Sequence, residues 1–488
     1  MTRNMLLSIA AVLMISSPAY CARDNTEGAA PGIEHVVVHR DDGRFCGWPA
    51  NNGAWSWGNE ILVAFDLHFF KEPDRSVDPT EHHVDWDKPA QLVTARSLDG
   101  GQTWKLETPG AFVRSAEPKP RPEKINFARP DFALRAGGSR FHISYDRGKN
   151  WQGPYEFGNF GVVLGSRTDY IVKDKDNCML FLSARGAPVC LRTTDAGNNF
   201  ELVSRMMPPL GVAPGARSIM PATVRVSENE LVTAVRQLRG EEYVSWIDTY
   251  VSKDNGKTWY YLSRVAEADK KYWNGNPPAI ARLCDGRLAV TYGYRAYPYG
   301  IRAKLSTDNG QTWGREIILR RDGRNWDLGY TRTVVRTDGK IVTMYYYSTK
   351  DNPNQYIAAT IWDPDRIDER TADRVTLNRI GAHIDRIAES MNRIQKLSQG
   401  QVRSVNDLVW WMQEKENSAD ALTAKLTENF LSTEMQGADD IERLKLIQSI
   451  IHHATETKES KDIANIMKLK ALLTQLRTRL FETDDSSH

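Results

Sequence analysis

Beyond Pro364 the chain has no proline, although 22 stand at or before that position, and it keeps only three of its 34 glycines. Region 365–488 therefore lacks the punctuation that tight β connections need, and a β-rich fold is excluded there. Cysteine is also scarce. Of five, Cys21 lies close to the N-terminus, and Cys46, Cys178, Cys190 and Cys284 have no paired spacing that would make a zinc site, so no metal and no cofactor is expected. Charge of one sign is not in surplus either: Lys+Arg 64 against Asp+Glu 62 gives +2, so no global field draws the chain to nucleic acid or a membrane surface.

No apolar run of spanning length is evident. The run MLLSIAAVLMI at 5–15 is too short to cross a bilayer. With Arg3 ahead of it and SSPAYCA behind, it reads as a secretory signal peptide occupying residues 1–22, cut after Cys21 or Ala22, which implies a secreted or periplasmic protein. Tyr20, where a lipoprotein signal carries a small residue, disfavours a lipid anchor on Cys21. Export permits disulfides, and Cys178 with Cys190 could face each other across a hairpin, while two buried thiols fit the sequence as well.

What the chain does have is repetition. SLDGGQTW at 97–104 returns as SYDRGKNW at 144–151, TTDAGNNF at 193–200, SKDNGKTW at 252–259 and STDNGQTW at 306–313. The shared frame is Ser/Thr-x-Asp-x-Gly-x-x-Trp/Phe, and such a period points to one supersecondary unit per copy. Flanking segments such as RLAVTYGYR and KIVTMYYYST alternate at strand period and break at Asp-Gly turns. Each octapeptide reads as a hairpin turn closed by its own side chains, and four-stranded blades about an axis are the expected result.

These copies resemble the Asp-boxes of the sialidase (BNR-repeat) superfamily, whose members are six-bladed β-propellers; the likeness covers roughly residues 33–364. It implies an all-β six-bladed propeller in which Asp99, Asp146, Asp195, Asp254 and Asp308 are turn carboxylates away from any substrate. A C-terminal α-helical bundle is expected to follow over 365–488. There Ile380, Ile384, Ile387, Met391 and Ile394, and again Ile466, Leu469, Leu473, Leu476 and Leu480, recur at heptad spacing, and breaks near 398–400, 416–418 and 436–438 divide four or five helices. Such helices suit packing or self-association; Trp410 and Trp411 read as core.

In a propeller the innermost strand of each blade starts at one mouth of the central channel, so polar residues at those starts converge. The candidate starts carry Arg129 and Asp131, Arg167 and Asp169, Arg217, Asn274 and Asn276, and Tyr330 with Arg332. Four arginines in a ring repel one another unless an anion or acids sit among them. A carboxylate-bearing sugar held by guanidinium groups is one answer, with Asp131 and Asp169 as internal partners the other.

The resemblance implies more. Sialidases bind the substrate carboxylate with three arginines and use a tyrosine nucleophile on the last inner strand, where GYTRT places Tyr330. Its glutamate partner falls on Glu241 or Glu242. The acid/base aspartate lies in a first-blade loop, here 68–91, where Asp85 and Asp87 match, with His82 and His83 beside them. Two departures stand out: Trp48 occupies the first-blade arginine position, and no arginine starts the fifth blade. Trp48, Trp55 and Trp57 then suit stacking on a sugar face.

The expected function is that of a carbohydrate-active enzyme removing a terminal acidic sugar from a glycan, its partner being that oligosaccharide. The alternatives are a uronide lyase using His83, Tyr330 and Arg332, and a non-catalytic glycan-binding propeller.

Overall fold

A computed structural model of the protein describes residues 32–74, 81–112, 116–207, 217–239, 244–268, 277–366 and 438–459, with the single positions 468, 471, 472 and 475. Six antiparallel sheets follow one another from residue 33 to residue 362. In blade 1, Arg44–Gly47 and Ala54–Trp57 together form the inner strand, followed by Glu60–Phe69, Gln91–Ser97 and Lys105–Glu107. Blade 4 is the most regular, with four strands of nine residues from Arg217–Arg225 to Tyr260–Ala268. Blade 6 holds Gly329–Val335, Ile341–Tyr347 and Tyr356–Trp362. Its outermost strand comes from the start of the fold: Ile33–His39 pairs antiparallel with Tyr356–Trp362, so the ring closes through hydrogen bonds between the two ends of the propeller. The added strand covers Tyr356–Trp362 and becomes the outer edge of blade 6.

That closure explains why six blades carry five octapeptides. Each copy joins the last two strands of blades 1 to 5, whereas in blade 6 those two strands belong to distant parts of the chain and need no turn. In copy four, Ser252 Oγ donates to Asp254 Oδ1 at 2.8 Å, while the Asp254 carboxylate accepts the Lys257 and Thr258 N–H groups and the Thr258 hydroxyl at 3.1, 2.9 and 2.6 Å. Trp259 Nε1 donates back to the Gly256 carbonyl. The glycine also packs against the blade before it: a Cβ on Gly256 would stand 2.9 Å from Met179 Cε and 3.0 Å from Cys190 Sγ. The turn thus joins blades as well as strands.

Cys178 and Cys190 are free and buried. They do not pair across the hairpin because Cys178 faces Thr193 and Cys190 faces Phe181, three rungs apart. Region 365–488 contributes one described helix, Ala438–Glu459. The expected bundle over 365–488, its heptads, Trp410 and Trp411, self-association and the signal peptide over 1–22 fall wholly or mostly outside the described residues. No described helix is long and apolar enough to cross a membrane.

Candidate active site

Strand register separates the two ends of the propeller. In blade 4, Leu231 pairs with Ser252 at the octapeptide end, whereas Leu238 pairs with Arg217 and Arg236 with Ile219 towards the other. At this second end the channel mouth is assembled from blades 1, 4, 5 and 6.

Two backbone distortions shape it. The register of the inner strands slips between Ile219 and Ala222 in blade 4 and between Gly329 and Arg332 in blade 6. Met220 and Tyr330, inside those bulges, have φ of 58° and 52°. Trp48, at φ 58°, opens the helical turn Pro49–Asn52 that interrupts the inner strand of blade 1. Of the seven described non-glycine residues with positive φ, the other four are Arg147, Ala196, Asn255 and Asn309, all at one position of the octapeptide. Each bulky residue in this conformation costs about 1 to 3 kcal/mol, so the surroundings must hold it in place. Buried arginines do so: Arg167 donates to Pro221 O at 2.7 Å and Pro278 O at 2.8 Å, and Arg295 donates to Leu328 O at 2.9 Å, beside Tyr330.

Tyr330 has two guanidinium groups near it. Arg295 sits 5.5 Å from its ring centroid, and Arg236 lies close enough for the Tyr330 oxygen to favour its charge. Burial lowers the Arg236 pKa to about 10; the Tyr330 oxygen favours its charge, while Arg295 and Arg217 oppose it. The Tyr330 ring meets Tyr346 edge-on at 5.8 Å. From there a chain of hydrogen bonds runs across the mouth. Arg295 Nη2 donates to Tyr346 Oη at 2.9 Å, Tyr346 Oη donates to Asp327 Oδ1 at 2.7 Å, and His82 Nδ1 lies 2.6 Å from the same oxygen. His83 takes the other oxygen, with its backbone N–H at 3.1 Å and Nδ1 at 2.9 Å. Burial pushes the Asp327 carboxyl up, but the two histidines outweigh it and hold the group well below the usual carboxylate range. The wall opposite is aromatic. Trp48 stacks on Trp86 at 5.8 Å and 9°, His82 meets Trp48 at 5.3 Å, and Trp86 is 57% exposed.

The residues expected from sequence fall into four groups. Tyr330, Trp48, Arg217 and His83 are at the mouth end, His83 buried beneath it as the anchor of its loop. Arg167, Asp169 and Arg332 lie deeper, inside the channel. Arg332 donates to Ala50 O and Thr168 O, and stands 3.9 Å from Asp169, whose carboxylate accepts the Thr223 N–H. They plug the channel and do not form part of an open arginine clamp.

Arg129 and Asp131 are at the opposite end. Among the described residues blade 2 has three strands, and its innermost one runs the other way: Ala133 pairs with Ser144, the first residue of an octapeptide. Asp131 there accepts from Arg147 at 2.6 Å, and Arg129 covers Tyr145 at 5.2 Å. Asp85 and Asp87 are on the rim. Lys88 bonds Asp85 at 3.1 Å and holds its carboxyl below the usual range, the opposite of what a general acid requires, and Asp87 is exposed. Glu241 and Glu242 lie outside the described residues. Trp55 packs on Trp151 in the core at 5.3 Å.

Sequence reasoning missed Arg236 and Arg295, which lie within and just after second strands, and Asp327, three residues ahead of Tyr330. Among the described residues, the group spaced to hold a metal is His452, His453 and Glu456 on the C-terminal helix, not the mouth.

No known protein-family description and no curated protein sequence matches the chain. Solved structures do resemble it. A protein of unknown function from Dyadobacter fermentans is 22% identical, covers 68% of this chain and 100% of its own, and superposes with a TM-score of 0.51, which establishes the shared fold. An α-L-arabinanase of Penicillium chrysogenum is 15% identical over 67% of this chain and 97% of its own, TM-score 0.43. The NanB sialidase of Streptococcus pneumoniae is 10% identical over 68% and 70%, TM-score 0.44.

Proposed function

We propose that the protein is an exported carbohydrate-active enzyme that binds a terminal acidic sugar at this mouth and hydrolyses its glycosidic bond. The observation that carries the reading is Tyr330, held in a left-handed conformation with Arg236 and Arg295 against it and the Trp48–Trp86 stack at the same mouth. A phenol approaches an anionic sugar without the repulsion a carboxylate nucleophile would meet, and paired guanidinium groups suit the sugar carboxylate. Trp48 in place of a first-blade arginine leaves a clamp built differently from the three-arginine sialidase pattern, so the reading extends to acidic sugars other than sialic acid.

The test is a screen of sialosides, uronides and rhamnosides with a reducing-end assay. A charge-assisted contact is worth ~1.5 to 3 kcal/mol, so Arg236→Ala with Arg295→Ala should cut kcat/KM by roughly 10² to 10⁴ on the acidic sugar. Equal loss on a neutral analogue would show that the arginines only hold the fold. Binding without any cleavage would favour a glycan-binding propeller. A second reading, uronide lyase, is favoured by one observation: a histidine oriented by a buried carboxylate shares the mouth with a tyrosine and arginines. Elimination leaves an unsaturated uronide that absorbs in the ultraviolet, whereas hydrolysis does not.

A further inference from the structure

Asp85 on the rim is a poor proton donor, and yet a glycosidic oxygen needs a donor as its bond breaks. Asp85 is tied to Lys88, and Asp327 is buried beneath two histidines. His82 has the missing geometry. Asp327 Oδ1 accepts from its Nδ1 at 2.6 Å, which fixes the tautomer and leaves Nε2 as the atom free to exchange protons. The side chain is 16% exposed, its ring faces Trp48 at 5.3 Å and Trp326 at 5.6 Å, and no described residue hydrogen-bonds Nε2. His83, next in the chain, spends its side chain and its backbone N–H on the other oxygen of Asp327 and is fully buried, so the pair divides into an anchor and an accessible base.

Resting on the glycosidase reading above, we propose that His82, positioned by Asp327, is the acid/base residue of the mouth. The reacting pair begins with one proton displaced from Tyr330 to His82: a phenolate facing Arg236 and an imidazolium facing Asp327. The phenolate oxygen attacks the anomeric carbon while the carbon–oxygen bond to the leaving sugar breaks. The departing electron pair stays on the glycosidic oxygen, which takes the Nε2 proton. Neutral His82 then removes a proton from water as that water attacks the same carbon. Tyr330 leaves with its electron pair, and one water has been consumed. An imidazolium donor also attracts an anionic sugar, which an aspartate donor would repel.

The experiment compares two substrates bearing the same acidic sugar, a disaccharide and a dinitrophenyl glycoside, whose leaving group needs no proton. His82→Gln and His82→Asn should lose roughly 10² to 10⁴ more in kcat/KM, which reports the bond-breaking step, on the disaccharide than on the aryl glycoside, because only the disaccharide's leaving group needs the proton. Asp85→Asn should lose nothing on either. Equal losses on both substrates for the His82 variants, or a selective loss in Asp85→Asn, overturns the proposal and leaves the glycosidase reading standing. No cleavage of either substrate by the wild-type protein overturns both. Where the variants do not fold, the wild type decides: a solvent deuterium isotope effect on kcat/KM that is larger for the disaccharide than for the aryl glycoside supports proton transfer to the leaving group, and effects of equal size on both remove it.

Discussion

The two ends of the propeller solve the same problem in opposite ways. At the octapeptide end each bend satisfies its backbone within eight residues: the serine or threonine hydroxyl accepts the glycine N–H of the same turn, five times over. At the mouth and in the channel beneath it the decisive partners are distant in sequence. Asp327 answers to His82 and His83 some 245 and 244 positions away, Arg167 to Pro278 across 111, and Arg332 to Ala50 across 282. Positive φ occurs at both ends, but in the octapeptides a local hydrogen-bond set supports it, whereas at Trp48, Met220 and Tyr330 the support comes from other blades. Local satisfaction gives stability that can be copied; satisfaction across blades shapes one site that cannot.

That contrast is most sharply tested at Tyr330. Tyr330→Phe removes one oxygen and keeps the ring that packs on Tyr346, so melting should change little while turnover falls by roughly 10⁴-fold or more, as loss of a covalent nucleophile does. Binding of the product sugar, measured by calorimetry, should stay near the wild-type value. A variant that melts early and retains its turnover would make Tyr330 a packing residue and the mouth no different in kind from the other end.

The converse change is Asp254→Ala. It removes four hydrogen bonds to the turn, worth roughly 4 kcal/mol at ~1 kcal/mol each, with no contact to the mouth. Melting should drop by several degrees and kcat should stay unchanged below the transition. If kcat falls with the melting temperature held, the two ends are coupled and the separation drawn above is wrong.

What the sequence discloses follows the same division. The octapeptides reveal the blade repeat, its turn geometry and the octapeptide end, because their interactions lie within one window; the sixth blade carries no copy and comes from the family resemblance. Tyr330 is legible because it falls near the start of a strand; its arginines are not, since Arg236 lies within a second strand and Arg295 just after one, and only register places them beside it. Arg129 and Asp131 mislead for a specific reason: blade 2 has three described strands and its inner one runs end for end, and the motif FARPDFAL carries no mark of that reversal. Asp85 was plausible by loop position, but Lys88, three residues on, takes its carboxylate.

The smallest effect concerns the channel between the two ends. From sequence, Asp169 reads as a counter-charge for the arginines, and if that were its main role, its carboxylate would be held ionised. Burial instead dominates: it raises the Asp169 pKa to about 6 against the pull of Arg332 and Arg167, and the 3.9 Å gap to Arg332 is too long for a hydrogen bond. The sign follows from linkage. A carboxyl whose folded value lies above its unfolded one stabilises the fold fully below the unfolded value near 3.8, and that contribution is lost as pH rises through about 6. Asp169→Asn keeps the acceptor for the Thr223 N–H and cannot ionise. Its stability relative to wild type should therefore climb between pH 3.5 and pH 7, by at most about 3 kcal/mol for a shift of two units. The other carboxylates, including the octapeptide aspartates held below the usual range, cancel in this difference. Paired urea melts at several pH values measure it. A difference that falls with pH would mean that Asp169 is an ionised partner of Arg332 after all, and that the channel, like the octapeptide end, satisfies its charges internally.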